Sequence, residues 1–107
     1  MTFDAAIRRE IARRIRAAVP KAVEIMLFGS YARGDARSDS DVDLVVLVPH
    51  ADDRIQTSMR ARRSLCGLNV GFDLLVLTPE DWQGLKASSS WFDRQITTEA
   101  ARLDATA

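Results

Sequence analysis

Gly29-Ser30-Tyr31-Ala32-Arg33-Gly34-Asp35-Ala36-Arg37-Ser38-Asp39-Ser40-Asp41-Val42-Asp43-Leu44-Val45-Val46-Leu47-Val48 decides how this chain is read. A Gly-Ser pair closes one apolar run. Ten residues further on, an Asp-x-Asp pair opens a second. Both runs read as strands, so the two pairs lie on either side of a short helical turn and a loop. Side chains alternate between the faces of a strand, which points Asp41 and Asp43 the same way. Carboxylates that close raise each other's pKa unless a cation lies between them. Burying both beside an apolar run is costly without one. Magnesium suits the position, since it takes a few carboxylate oxygens, water and substrate phosphates in preference to an all-protein cage. Gly29 lets backbone come close to a phosphate, and the helix that follows offers free N–H groups with Ser30 as an added donor. No Gly-Lys-Ser/Thr follows at the spacing of a Walker loop. Arg33 either reaches a phosphate or pairs with a nearby aspartate.

Outward from this stretch the signals are local. Ile7, Ile11, Ile15 and Val19 recur every fourth residue, with arginines opposite, which predicts an amphipathic helix over about 4–19. Thr2 or Asp4 would cap it and Pro20 end it. Residues 22–28 read as a strand and 30–33 as a short helix stopped by Gly34. Residues 37–40 form a polar turn, where Asp39 is a solvated loop acid. The nearly unbroken Leu/Val run of 41–48 predicts a central strand covered on both faces. A helix over about 53–66, capped by Asp52, is expected to bury Ile55, Met59 and Leu65 before Gly67 ends it. Residues 69–77 form a third strand, with Asp73 in its middle. Thr78-Pro79-Glu80-Asp81 opens another helix, broken near Gly84 and again at Ser88-Ser89-Ser90. A last helix carries Trp91, Phe92 and Ile96, and the tail after Arg102 is expected to fray. The alternation predicts an α/β fold of mixed α+β type: one small mixed sheet with helices mainly on one side, forming a single domain over 1–107.

If the Asp73 strand lies beside the Asp41 strand, three carboxylates share one side of the sheet. Three acids can hold two metal ions, which suits in-line displacement at phosphorus. Trp82 and Trp91 read as core or partner contacts. Cys66 is the only cysteine, so there is no disulfide framework, and it reads as a small buried hydrophobe. His50 reads as a loop residue. Formal net charge is zero, which gives no case for non-specific nucleic-acid binding. The arginine clusters at 8–16 and 54–63 are either solvated helix faces or a surface for an acidic partner or RNA. No apolar run approaches a membrane span and no signal peptide is evident, so a soluble cytoplasmic protein is expected.

Gly29-Ser30, ten residues, then Asp41-Val42-Asp43 resembles the signature of the DNA polymerase beta-like nucleotidyltransferase superfamily. Gly-Ser-Tyr-Ala-Arg-Gly followed by Ser40-Asp41-Val42-Asp43-Leu44 is similar to its minimal nucleotidyltransferase branch. The resemblance covers roughly residues 20–78. It implies the nucleotidyltransferase fold, with ATP or another nucleoside triphosphate as substrate, magnesium as cofactor and transfer of a nucleoside monophosphate. By that pattern Gly29 and Ser30 hold the triphosphate, Asp41 and Asp43 bind the metals, and Asp73 is the third acid, binding the catalytic metal and favouring deprotonation of the acceptor. Stand-alone members typically pair with a HEPN-domain toxin ribonuclease, as antitoxins that can adenylylate it. Such members often end with a Glu-Gly pair and a nearby tyrosine. This chain departs there, with Glu99-Ala100-Ala101-Arg102-Leu103. Three other readings stand beside the antitoxin enzyme: a non-catalytic module that silences a partner by covering it, a nucleotidyltransferase for RNA or a small molecule, and a Rossmann-like domain with coincidental acids.

Overall fold

The computed structural model describes residues 3–50 and 52–103. Nine elements follow in order: α1 (Ala5–Ala18), β1 (Glu24–Phe28), α2 (Ser30–Arg33), β2 (Val42–Leu47), α3 (Arg54–Ser64), β3 (Phe72–Leu77), α4 (Pro79–Ala87), α5 (Trp91–Glu99) and β4 (Ala101–Arg102). The strands form one sheet in the order β3-β2-β1-β4. β2 runs parallel to β3 and antiparallel to β1, which in turn is antiparallel to β4. The antiparallel β1–β2 pair sets aside the Rossmann-like reading, whose sheet is mostly parallel.

Alternation along β2 divides the core between the two faces. Val42, Leu44 and Val46 join the larger core, with Ile11 and Ile15 of α1 and Ala61 of α3. Val45 and Leu47 point the other way, into a smaller cluster with Met26, Trp82 of α4 and Ile96 of α5. Helices therefore lie on both faces, but most of the buried apolar surface is on the α1/α3 side. The smaller cluster uses only the later half of β2. Asp41 and Asp43 fall on this less covered face, ahead of Val45 in the chain.

The helix ends follow from their cap residues. Asp4 accepts a hydrogen bond from the Ile7 N–H at 3.0 Å and starts α1, whereas Thr2 lies outside the described residues. Thr78 and Asp81 bond reciprocally, at 3.0 and 3.1 Å, to make the capping box of α4. α4 runs unbroken through Gly84, because a single exposed glycine costs a helix only about 1 kcal/mol. α3 departs further from expectation. Its N-cap is Asp53, in a left-handed conformation with no side-chain cap. Ile55 and Met59 are 76% and 49% exposed, and the residues that seat the helix are Ala61 and Leu65. Cys66 follows the helix in a turn and is exposed.

The expected fraying does not begin at residue 103. Ala101 and Arg102 pair with β1, and Leu103 is fully buried with its N–H on the Ile25 carbonyl at 2.9 Å. Arg8 of α1 donates to the carbonyls of Leu103 and Arg102, at 2.8 and 3.2 Å. The rest of the tail lies outside the described residues. Among the described residues no helix is long and apolar enough to cross a membrane.

Candidate active site

α2 is four residues long and is held by one face. Tyr31 and Ala32 pack against the larger core, and the Tyr31 ring lies 4.6 Å from that of Phe3. This turns Ser30 and Arg33 toward the opposite side, where both line a pocket of about 310 Å³. The turn into α2 depends on Gly29, whose φ of 73° and ψ of −154° fall in a region that is essentially glycine-only. A Cβ there would also overlap the Asp43 carboxylate. The Gly29-Ser30 turn and the second acid of Asp-x-Asp are therefore packed directly against each other.

Asp43 sits opposite Phe28 of β1 on one side and Asp73 of β3 on the other. The expected neighbouring of the two acid-bearing strands holds, with Asp43 and Asp73 in register. Burial pushes the Asp43 carboxyl up to about 6. The Asp73 carboxylate adds to this, by repelling the charged form and accepting a hydrogen bond from the protonated one. Asp41 adds repulsion and Arg33 partly opposes it.

Asp41 stands just before β2, beside the Val42 N–H that donates to the Gly71 carbonyl at 2.8 Å. A Cβ at Gly71 would overlap the Asp41 carboxylate, as one at Gly29 would overlap Asp43. Each acid of the pair thus rests on a glycine Cα. Gly71 was not among the residues the sequence singled out. The available signal was its place at the start of a strand, where glycine marks a close approach. Asp41 lines a separate hollow with Asp39 and Gly71, whereas Gly29, Ser30, Arg33 and Asp43 share the first pocket.

Among the described residues no group of three or more His, Cys, Asp or Glu side chains is gathered around one point as metal ligands. The donor chemistry nevertheless fits a hard divalent cation: the acids supply only oxygen, and Asp73 and Asp41 both repel a charge on Asp43. Asp41, Asp43 and Asp73 are the residues that would hold it.

Arg33 stands at the pocket with its fork engaged. Its Nε donates to Asp35 at 3.2 Å and its Nη1 to both carboxylate oxygens of Glu99, at 3.1 and 3.0 Å. Asp35 and then Glu99 raise its pKa further. Phe92, Gln95 and Glu99 of α5 complete the pocket wall. Their part in it depends on how α5 crosses β1, which has no signature in the local sequence.

A model of the nucleotidyltransferase domain family matches residues 8–94, a span that contains Gly29-Ser30 and all three acids. The chain belongs to the nucleotidyltransferase domain family. This nucleotidyltransferase-domain chain is similar to the protein adenylyltransferase MntA of Shewanella oneidensis, at 29% identity over 94 residues. The alignment covers 88% of this chain and 62% of that protein, so the chain spans less than two thirds of its curated relative. In structure it is similar to a chain of a toxin–antitoxin complex crystallised with AMP-PNP. The TM-score is 0.67 at 28% identity, over 92% of this chain and 73% of that one. It is also similar to a chain of the complex of a tri-AMPylated HEPN toxin of Shewanella oneidensis with its MNT antitoxin. There the TM-score is 0.61 at 25% identity, over 96% of this chain and 74% of that one.

Proposed function

We propose that this chain is an ATP-dependent, magnesium-dependent nucleotidyltransferase that transfers AMP to a hydroxyl on a HEPN-domain toxin and serves as its antitoxin in the cytoplasm. The observation that carries the reading is the packing of Gly29 on Asp43, with Asp73 in register beside it. That juxtaposition sets the Gly29-Ser30 turn against paired carboxylates, which is what a metal-bridged triphosphate would require. The similarity to the Shewanella adenylyltransferase and to the toxin-bound structures supports the choice of acceptor.

On this reading Gly29 and Ser30 hold the triphosphate through backbone N–H groups and the Ser30 hydroxyl. Asp41, Asp43 and Asp73 hold the magnesium. Bound there, the cation supplies charge neutralisation between carboxylates and phosphates. Asp73 takes the proton from the acceptor hydroxyl. The acceptor oxygen then bonds to the α-phosphorus as the bond to the β-phosphate oxygen breaks, and pyrophosphate leaves. Arg33 exchanges its contacts with Asp35 and Glu99 for a phosphate oxygen.

Co-expression with a HEPN-domain toxin, followed by intact mass of the toxin, tests the proposal. Wild type is expected to add AMP to the toxin. Asp73→Asn is expected to add none while still binding ATP in the presence of magnesium. Ser30→Ala should weaken ATP binding by about 1–2 kcal/mol, as for a hydrogen bond to a charged group. Neutralisation of the toxin with no added mass, equally by wild type and Asp73→Asn, would replace the enzyme with a covering antitoxin. Equal ATP affinity in EDTA and in magnesium would remove the metal from the site.

A further inference from the structure

β3 is an edge strand, and its outer edge is open. In the parallel ladder, Val42 donates to the Gly71 carbonyl and Val48 to the Leu77 carbonyl, so the odd-numbered residues of β3 turn their backbone groups toward β2. The N–H and C=O groups of Phe72, Leu74 and Val76 therefore point outward, and no strand among the described residues lies beyond them. Arg62 takes the Phe72 carbonyl at 3.1 Å, which leaves Leu74 and Val76 facing the edge. Edge strands are usually blunted by lysine, proline or a bulge. β3, Phe-Asp-Leu-Leu-Val-Leu, carries no lysine or proline, and its register with β2 is continuous across all six residues.

Apolar side chains flank this edge. Ile55 and Met59, one turn apart on α3, lie on one side, and Leu75 projects on the other. All three are exposed. Together with the strand they line a groove of about 430 Å³. Arg54 and Arg62 also line it, two turns apart on α3. Arg62 reaches the Phe72 end of the strand. Arg54 is anchored near the other end by Asp81, at 2.6 Å through one nitrogen of its fork.

We propose that this edge docks an extended segment of a partner protein by strand addition, with apolar residues on the segment's two faces and acidic residues at both of its ends. Backbone pairing with Leu74 and Val76 supplies affinity, and Ile55, Met59 and Leu75 take the side chains. The charges argue against a second copy of the chain as occupant. A two-fold antiparallel β3–β3 pairing would bring Arg62 of each copy to Arg54 of the other, whose charge is already met by Asp81, so a second copy offers Arg62 no favourable partner at that position. A segment with acidic ends meets both arginines favourably.

The probe is a ten-residue peptide of alternating valine and threonine with two glutamates at each end, labelled for fluorescence anisotropy. A matched peptide with lysines in place of the glutamates is the control, and leaves the protein unaltered. The acidic peptide is expected to bind and to slow amide exchange at Leu74 and Val76. The lysine peptide should bind about tenfold more weakly or worse. Met59→Glu and Arg62→Glu, both at exposed positions, should each weaken the acidic peptide by about tenfold with unchanged circular dichroism. No binding, equal binding of the two peptides, or indifference to both substitutions would overturn the proposal. So would a dimer by sedimentation that Met59→Glu dissolves, since the edge would then belong to a second copy. ATP binding is measured on the same variants and should not change, which keeps this outcome separate from the nucleotide site.

Discussion

Replacing Gly29 by alanine tests the contact on which the site is built. Two costs act there. The backbone, at φ 73° and ψ −154°, lies in a region whose occupation by an L-residue costs about 1–3 kcal/mol. The new methyl also collides with the Asp43 carboxylate, which must move. Gly34 provides the comparison, since it is also left-handed, at φ 86°, yet a methyl there meets open space. Its alanine variant should lose only the backbone part, about 1–2 kcal/mol. Gly29→Ala is therefore expected to lose about 2 kcal/mol or more, which lowers the urea midpoint by about 1 M for a protein of this size. Combining it with Asp43→Ala removes the collision but not the strain, so the double variant should recover part of the loss as a coupling energy. Urea titration followed by circular dichroism measures wild type, the three single variants and the double variant. If Gly29→Ala is no less stable than Gly34→Ala, and Asp43→Ala gives no coupling, the turn and the carboxylate are not in the packed contact described above.

Asp43 carries a pH signature in the apo protein. Its pKa in the folded chain, about 6, exceeds the ordinary 3.8. Between those values the native state keeps a proton that the unfolded chain has lost, so stability falls as pH rises through this window and the deficit is complete above it. In EDTA, Asp43→Asn should be stabilised relative to wild type at about pH 7 and not at about pH 4; an equal difference at both would contradict the assignment. Leu103→Ala, at a fully buried position, should cost about 2–5 kcal/mol. A thermal melt matching wild type would mean that the segment after α5 is not docked.

What the sequence made legible was what local chemistry dictates. Gly29, Gly34 and Pro20 punctuate the elements, Leu44 to Leu47 announce a buried strand, and Thr78 to Asp81 announce a cap. The neighbouring of Asp43 and Asp73 followed once those two strands were adjacent. The misses depend on contacts across the chain. β4 is two residues long and has no periodicity to detect; it is held by Arg8, more than ninety positions away. Ile55 and Met59 have the spacing of a core face, but α3 is seated by Ala61 and Leu65, and its earlier turns leave both side chains exposed. Arg33 was open between phosphate and aspartate; Asp35 is local, whereas Glu99 comes from the far end of α5.

The uneven division of the core has a kinetic counterpart. α4 and α5 are fastened through a small cluster centred on Trp82 and Ile96, while β1 and β2 also share the large core on the opposite face. Opening free energies follow buried apolar contact, so the α4–α5 pair is expected to open at a lower free energy than the strands. The pocket floor, Gly29 and Asp43, lies on the strand side of this division, and Phe92, Gln95 and Glu99 lie on the side expected to open first. In hydrogen exchange the two walls of a single site would report different protection, and the pocket would breathe from the α5 side alone.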